Sequence, residues 1–126
     1  MARILVMDDD DLLRGAIRVI LESAGHQVIE AADGAAGLRL YREQGADLVL
    51  VDIFMPERDG LEVIRALRSE APKAKVVAMS GGGSSGRIDL LEAAAGLGAF
   101  RALWKPFHPR DLLTAIDALL EEGASS

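Results

Sequence analysis

The sequence contains no cysteine, which excludes disulfides and thiolate metal sites and permits a reducing compartment. Aromatic residues are also scarce, with three Phe, one Tyr and one Trp among 126 residues. The core must therefore be built from Ala, Val, Ile and Leu. No apolar stretch approaches the ~18 residues of a membrane helix. The N-terminal apolar run Ile4–Met7 is too short for a signal peptide and is stopped by acid. Lys and Arg number 14 against 20 Asp and Glu, for a net charge of −6. Nucleic-acid surfaces and anionic membranes both select basic patches, and none is visible. These absences lead to the expectation of a soluble, cytoplasmic protein that binds neither nucleic acid nor membrane through this chain.

What is present is alternation between two periodicities. Short β-type runs occupy Ile4–Met7, Val28–Ala31, Leu48–Val51, Val76–Met79 and, less distinctly, Phe100–Trp104. Three of them are apolar throughout, as expected for parallel strands covered on both faces. Helical stripes lie between them: Leu13, Ala16, Ile17, Ile20, Leu21 and Ala24; then Leu61, Ile64 and Leu67 after a candidate Asp59 cap; then Leu112, Leu113, Ile116, Leu119 and Leu120, with Pro109 suited to a first turn. Segments near Ala35–Glu43 and Arg87–Leu97 read as weaker helices because Gly37 and Gly96 lower helix stability.

The pattern is βα repeated five times. It predicts an α/β, doubly wound, five-stranded parallel sheet of flavodoxin-like type with strand order 2-1-3-4-5. Residues 1–122 form one domain in this reading, and 123–126 a short flexible tail. Ligands of such sheets bind beyond the carboxyl ends of the strands, where the strand order reverses. There the first strand delivers Asp8 and Asp9, the third Asp52, the fourth Ser80 and the fifth Lys105.

Two aspartates about 4 Å apart repel by about 1 kcal/mol in water and about 4 kcal/mol near a protein surface. Three such groups need a compensator. Lys105 supplies one positive charge. A divalent cation with a preference for hard oxygen ligands, Mg2+, supplies two more and keeps positions open for a phosphoryl oxygen. A carboxylate can also act as nucleophile and form an aspartyl phosphate. Asp52, on the central strand, is the best placed, with Lys105 and the Ser80 hydroxyl meeting the phosphoryl oxygens.

At these residues the chain resembles the receiver domain of two-component response regulators. The resemblance covers nearly the whole chain. It rests on "MDDD" after the first strand, "VDIFMPERDG" around Asp52, Ser80 after the fourth strand and "KPF" after the fifth. It implies that Asp52 is the phosphoacceptor. Asp8 and Asp9 would hold Mg2+ together with Asp52, Asp9 directly and Asp8 through water, and the backbone carbonyl of Phe54 would be a further ligand. Ser80 would be the switch hydroxyl, Lys105 would contact the phosphoryl group, and the Lys105–Pro106 bond would be cis. A histidine kinase or histidine phosphotransfer protein would be the donor, and an output protein of unknown identity would read the result. The domain would catalyse only its own phosphorylation and dephosphorylation.

The chain departs from the family's pattern at three places. Ala102 stands where an aromatic residue usually couples to the switch hydroxyl. The loop after Ser80, "GGGSSG", is rich in glycine and is the expected moving part. Phe54 is apolar where many relatives are polar, and would shield the acyl phosphate from water.

Plainer readings exist for each residue alone. Asp10 or Asp11 reads as a helix N-cap. Asp52 reads as a turn former, Ser80 as a loop serine and Lys105 as a solvated charge. His26 and His108 lack metal-ligand spacing and read as surface residues. It is the joint placement of the five residues that favours the phosphoryl-transfer reading. Three rivals remain: an input domain cut out of a larger regulator, a receiver-like scaffold that binds a partner without phosphorylation, and a nucleotide binder using Gly81–Ile88. The last has Arg87-Ile88 where a P-loop requires Lys followed by Ser or Thr.

Overall fold

A computed structural model of the chain describes residues 2–53, 60–80 and 99–124. In chain order the elements are β1 (Arg3–Met7), α1 (Asp11–Ser23), β2 (Gln27–Ala31), α2 (Gly34–Gln44), β3 (Leu48–Asp52), α3 (Gly60–Glu70), β4 (Lys75–Ser80), β5 (Ala99–Trp104) and α4 (Pro109–Ala124). The five strands form one parallel sheet in the order β2-β1-β3-β4-β5, as the alternation of periodicities predicts. The expected helix Arg87–Leu97, the Asp59 cap, Phe54 and the Gly81–Ile88 segment lie outside the described residues. The final helix runs to Ala124, two residues into the segment read as a tail.

Alternation along the strands sorts the core into two layers. Leu5, Met7, Val49, Val51, Val76 and Ala78 pack with Leu38 of α2 and with Val63, Ile64 and Leu67 of α3. Ile4, Val6, Leu48, Leu50, Val77 and Met79 pack with Ile17 and Leu21 of α1 and with Leu112, Ile116 and Leu119 of α4. β3 is buried along its whole length, which explains its unbroken apolar sequence up to Asp52.

Local chemistry sets the helix ends. Asp10 caps α1: its carboxylate accepts from the N–H groups of Leu12 and Leu13. Asp10→Ala is therefore expected to cost about 1 kcal/mol in a denaturant titration. Asp33 caps α2 in the same way through the Ala36 N–H, and Gly45 ends it at φ 71°, a left-handed angle that favours glycine. At the start of α4 the His108 N–H donates to the Asp111 carboxylate, and the His108 carbonyl accepts from Asp111 and Leu112. Pro109 takes the first helical position, as expected.

Gly37 weakens α2 as an isolated helix, and the packing supplies the reason for it. A Cβ there would collide with the fully buried side chain of Met7. The surface reading of His26 is corrected. The ring is half-buried and its Nδ1 accepts from the Ala2 N–H at 3.2 Å, tying the start of the chain to the turn before β2. His108 is exposed, as expected.

Candidate functional site

The ends of the inner strands are stitched together just beyond their last side chains. Asp8 N–H donates to the Ala31 carbonyl, Ile53 N–H to Met79 and Lys105 N–H to Ser80, at 3.1, 2.9 and 2.7 Å. Asp52 and Ser80 are themselves the last residues of β3 and β4, with Asp52 in register with Met79 and Ser80 with Trp104. The sheet thus fixes the backbone from which Asp8, Asp52, Ser80 and Lys105 project.

The polar residues at this rim are buried. Asp8, Asp52 and Ser80 are 0%, 5% and 1% exposed, whereas Asp9 is exposed. One carboxylate oxygen from each of Asp8, Asp9 and Asp52 lies within 4.8 Å of the others. Lys105 Nζ stands 3.5 Å from Asp52 Oδ2 in an ion pair. Four of the residues singled out in the sequence (Asp8, Asp9, Asp52 and Lys105) are therefore gathered at one point. Ser80 is joined to them through β4 and through its carbonyl bond to Lys105. The Lys105–Pro106 bond is cis.

Asp8 carries the electrostatic tension. Its Oδ1 accepts from the Asp10 N–H at 2.9 Å, while its Oδ2 is buried with no hydrogen-bond partner among the described residues. Burial pushes its pKa up to about 6, the Asp10 N–H opposes that rise, and the charges of Asp52 and Asp9 add to it against Lys105. A buried carboxylate oxygen without a partner is costly in the absence of a cation. The three hard oxygen donors supplied by Asp8, Asp9 and Asp52 fit a small divalent cation that retains part of its water shell.

The acidic turn is also held from behind. Arg14 of α1 donates from Nη1 to the Asp8 carbonyl at 2.7 Å, from Nη2 to Asp11 Oδ1 at 2.7 Å and from Nε to Glu30 Oε1 at 3.0 Å. Glu30 of β2 is also bound by Arg18 at 2.6 Å. The bond from Arg18 draws the Glu30 pKa below its ordinary value, with burial opposing and Arg14 adding to the fall. Sequence reasoning did not single out Arg14. Its position three residues after Asp11 was a signal for an ion pair along α1, but its reach to Asp8 and Glu30 was not readable locally.

Comparison with known proteins bears on this arrangement. The family model described as "Response regulator receiver domain" matches residues 4–117. The chain belongs to the response regulator receiver domain family. Among relatives of this receiver domain, Transcriptional regulatory protein AfsQ1 of Streptomyces coelicolor is 35% identical over 98% of the chain. Transcriptional regulatory protein CpxR of Escherichia coli is 36% identical over 98% of it. The chain spans about half the length of both, 53% and 51%, but 98% of the 36%-identical Protein CcdB of Bacillus subtilis, which covers 95% of this chain. In structure, the CheY-like response regulator receiver domain protein from Methanospirillum hungatei matches with a TM-score of 0.90 at 31% identity, over 99% of this chain and 98% of that one. The Francisella response regulator 1452 receiver domain matches with a TM-score of 0.87 at 26% identity, over 98% and 99%. The receiver fold and the place of this domain among response regulators of two-component systems follow. Among the described residues, no helix is long and apolar enough to cross a membrane.

Proposed function

We propose that this receiver domain is a phosphorylation-dependent switch that accepts a phosphoryl group on Asp52 from a phosphohistidine of a histidine kinase or phosphotransfer protein. The observation that carries the proposal is the position of the Asp52 carboxylate, shared between the Lys105 ammonium and the acidic pair Asp8 and Asp9. A carboxylate oxygen of Asp52 bonds to phosphorus as the phosphorus–nitrogen bond of the donor breaks, and the electron pair leaves on the imidazole nitrogen. Lys105 offsets the negative charge of the phosphoryl oxygens, and the Ser80 hydroxyl donates to one of them. Asp8, Asp9 and Asp52 would hold Mg2+, which when bound would supply two positive charges to offset the clustered carboxylates and the phosphoryl oxygens.

A macromolecular donor suits the surroundings. Leu13, Pro106 and Phe107 line an open recess beside Lys105. On α1, Leu12 and Val19, seven residues apart and so on one face, are 87% and 65% exposed. Exposed apolar side chains and an apolar-lined recess beside the proposed phosphoryl-transfer site support docking of a protein surface. On this reading the domain modifies only itself, and an output protein detects the change. The Phe54 carbonyl, which the family resemblance makes a ligand, and the loop after Ser80, expected from its glycines to be the moving part, lie outside the described residues.

Incubation with acetyl phosphate and Mg2+ is expected to add the mass of one phosphoryl group to the intact chain, and a chelator is expected to prevent it. Trp104, half-buried and in register with Ser80, is expected to report the change in its fluorescence. Asp52→Asn is expected to abolish the mass gain. Uptake that persists unchanged in that variant would place the acceptor elsewhere.

A further inference from the structure

We infer that Arg14 is a positioning residue for the divalent-cation site, holding the acidic turn in the conformation that the cation needs; the inference rests on the magnesium reading above. Four consecutive aspartates, Asp8 to Asp11, repel one another, and a nearby cation could relieve them in two ways. A guanidinium bonded to the Asp8 carboxylate would neutralise it and occupy the oxygen required for a metal. Arg14 instead takes the main-chain carbonyl of Asp8, at 2.7 Å, and leaves the carboxylate alone. The orientation of that carboxylate is then set by the Asp10 N–H on Oδ1, with Oδ2 left buried and without a partner among the described residues.

The planar fork of Arg14 also spans three separate segments of chain. It joins the carbonyl at the end of β1, the Asp11 side chain at the start of α1 and Glu30 on β2. The Arg14 side chain is only 15% exposed and that of Glu30 27%, so this is not a fully solvated surface pair. Among the described residues, Arg18 binds Glu30 and Glu22 and not the acidic turn. Arg18 therefore shares the anchor of Arg14 but not its target, and serves as an internal control. Partners that orient metal ligands from behind typically change affinity by about 10- to 100-fold when removed.

The test is calorimetric titration of the whole chain with Mg2+ alone, on protein whose folding is verified by thermal melting. Arg14→Met keeps most of the apolar stem and removes the donors; Arg14→Lys keeps the charge and removes the fork. Both are expected to weaken Mg2+ binding by about tenfold, while Arg18→Met leaves it unchanged. Acetyl phosphate labelling of the Arg14 variants should return to the wild-type rate once Mg2+ is saturating. Wild-type affinity in both Arg14 variants overturns the inference. Full rescue by Arg14→Lys also overturns it, since charge alone would then suffice, as does an equal loss in Arg18→Met. If the wild-type chain itself binds no Mg2+, the magnesium reading falls and this inference falls with it.

Discussion

Gly60→Ala is expected to destabilise the domain by about 3 kcal/mol and to slow acetyl phosphate labelling of the remaining folded protein by about a hundredfold. Gly60 opens α3 directly beneath the end of β3. Its N–H donates to the Ile53 carbonyl at 2.9 Å, and a Cβ built there falls on the main chain of Asp52 and Ile53. A flexible side chain could yield to one extra methyl group, but a backbone within a fully buried parallel strand cannot do so cheaply. Either α3 withdraws, opening the layer formed by Val63, Ile64 and Leu67, or the Asp52 backbone moves and carries its carboxylate away from Lys105. Denaturant titration measures the first cost, and labelling rate per folded molecule measures the second. A variant with wild-type stability and labelling would show that this contact does not position the acceptor.

Asp8→Asn is expected to act in opposite directions on the metal-free and metal-bound protein. The folded-state pKa of Asp8 is pushed up to about 6 from an ordinary 3.8. The folded protein therefore binds this proton more tightly than the unfolded chain does. The favourable contribution is complete below pH 3.8 and is lost as the pH rises through about 6. Ionised Asp8 then opposes folding by about 3 kcal/mol at neutral pH. The substituted amide keeps an acceptor for the Asp10 N–H and carries no charge. Without metal the variant should be more stable than the parent by about 2–3 kcal/mol at neutral pH, with the difference vanishing near pH 4. Added Mg2+ should stabilise the parent through binding to its folded state and leave the variant unmoved. Equal stabilisation of both proteins by Mg2+ would remove Asp8 from the cation site.

Some of this was legible in the sequence because burial leaves a direct imprint. β1, β3 and β4 are central strands covered on both faces, so their apolar runs are unbroken. β5 was less distinct because it is an edge strand whose residues are mostly half-exposed. Apolar runs stop at Val51 and Met79, yet pairing continues through Asp52 and Ser80, since main-chain bonds do not depend on side-chain polarity. The convergence of Asp8, Asp9, Asp52 and Lys105 followed from strand order alone. The reach of Arg14 did not, because Glu30 lies 16 residues away across a helix–strand contact. Nor could sequence alone say why positions 37 and 60 carry glycine, since the reasons are Met7 and the main chain of Asp52, each distant along the chain.

The outer strands carry one more consequence. β2 and β5 bound the sheet, and each bears a charge along its length, Glu30 on one and Arg101 on the other. Open strands offer unpaired amides to any neighbouring molecule, and charge there discourages fibril-like lateral growth. A second molecule seeking to extend the sheet past β2 would have to accommodate a carboxylate already claimed by two arginines. Past β5 it would have to desolvate a guanidinium. The ion pairs on Glu30 thus also oppose extension of the sheet past β2.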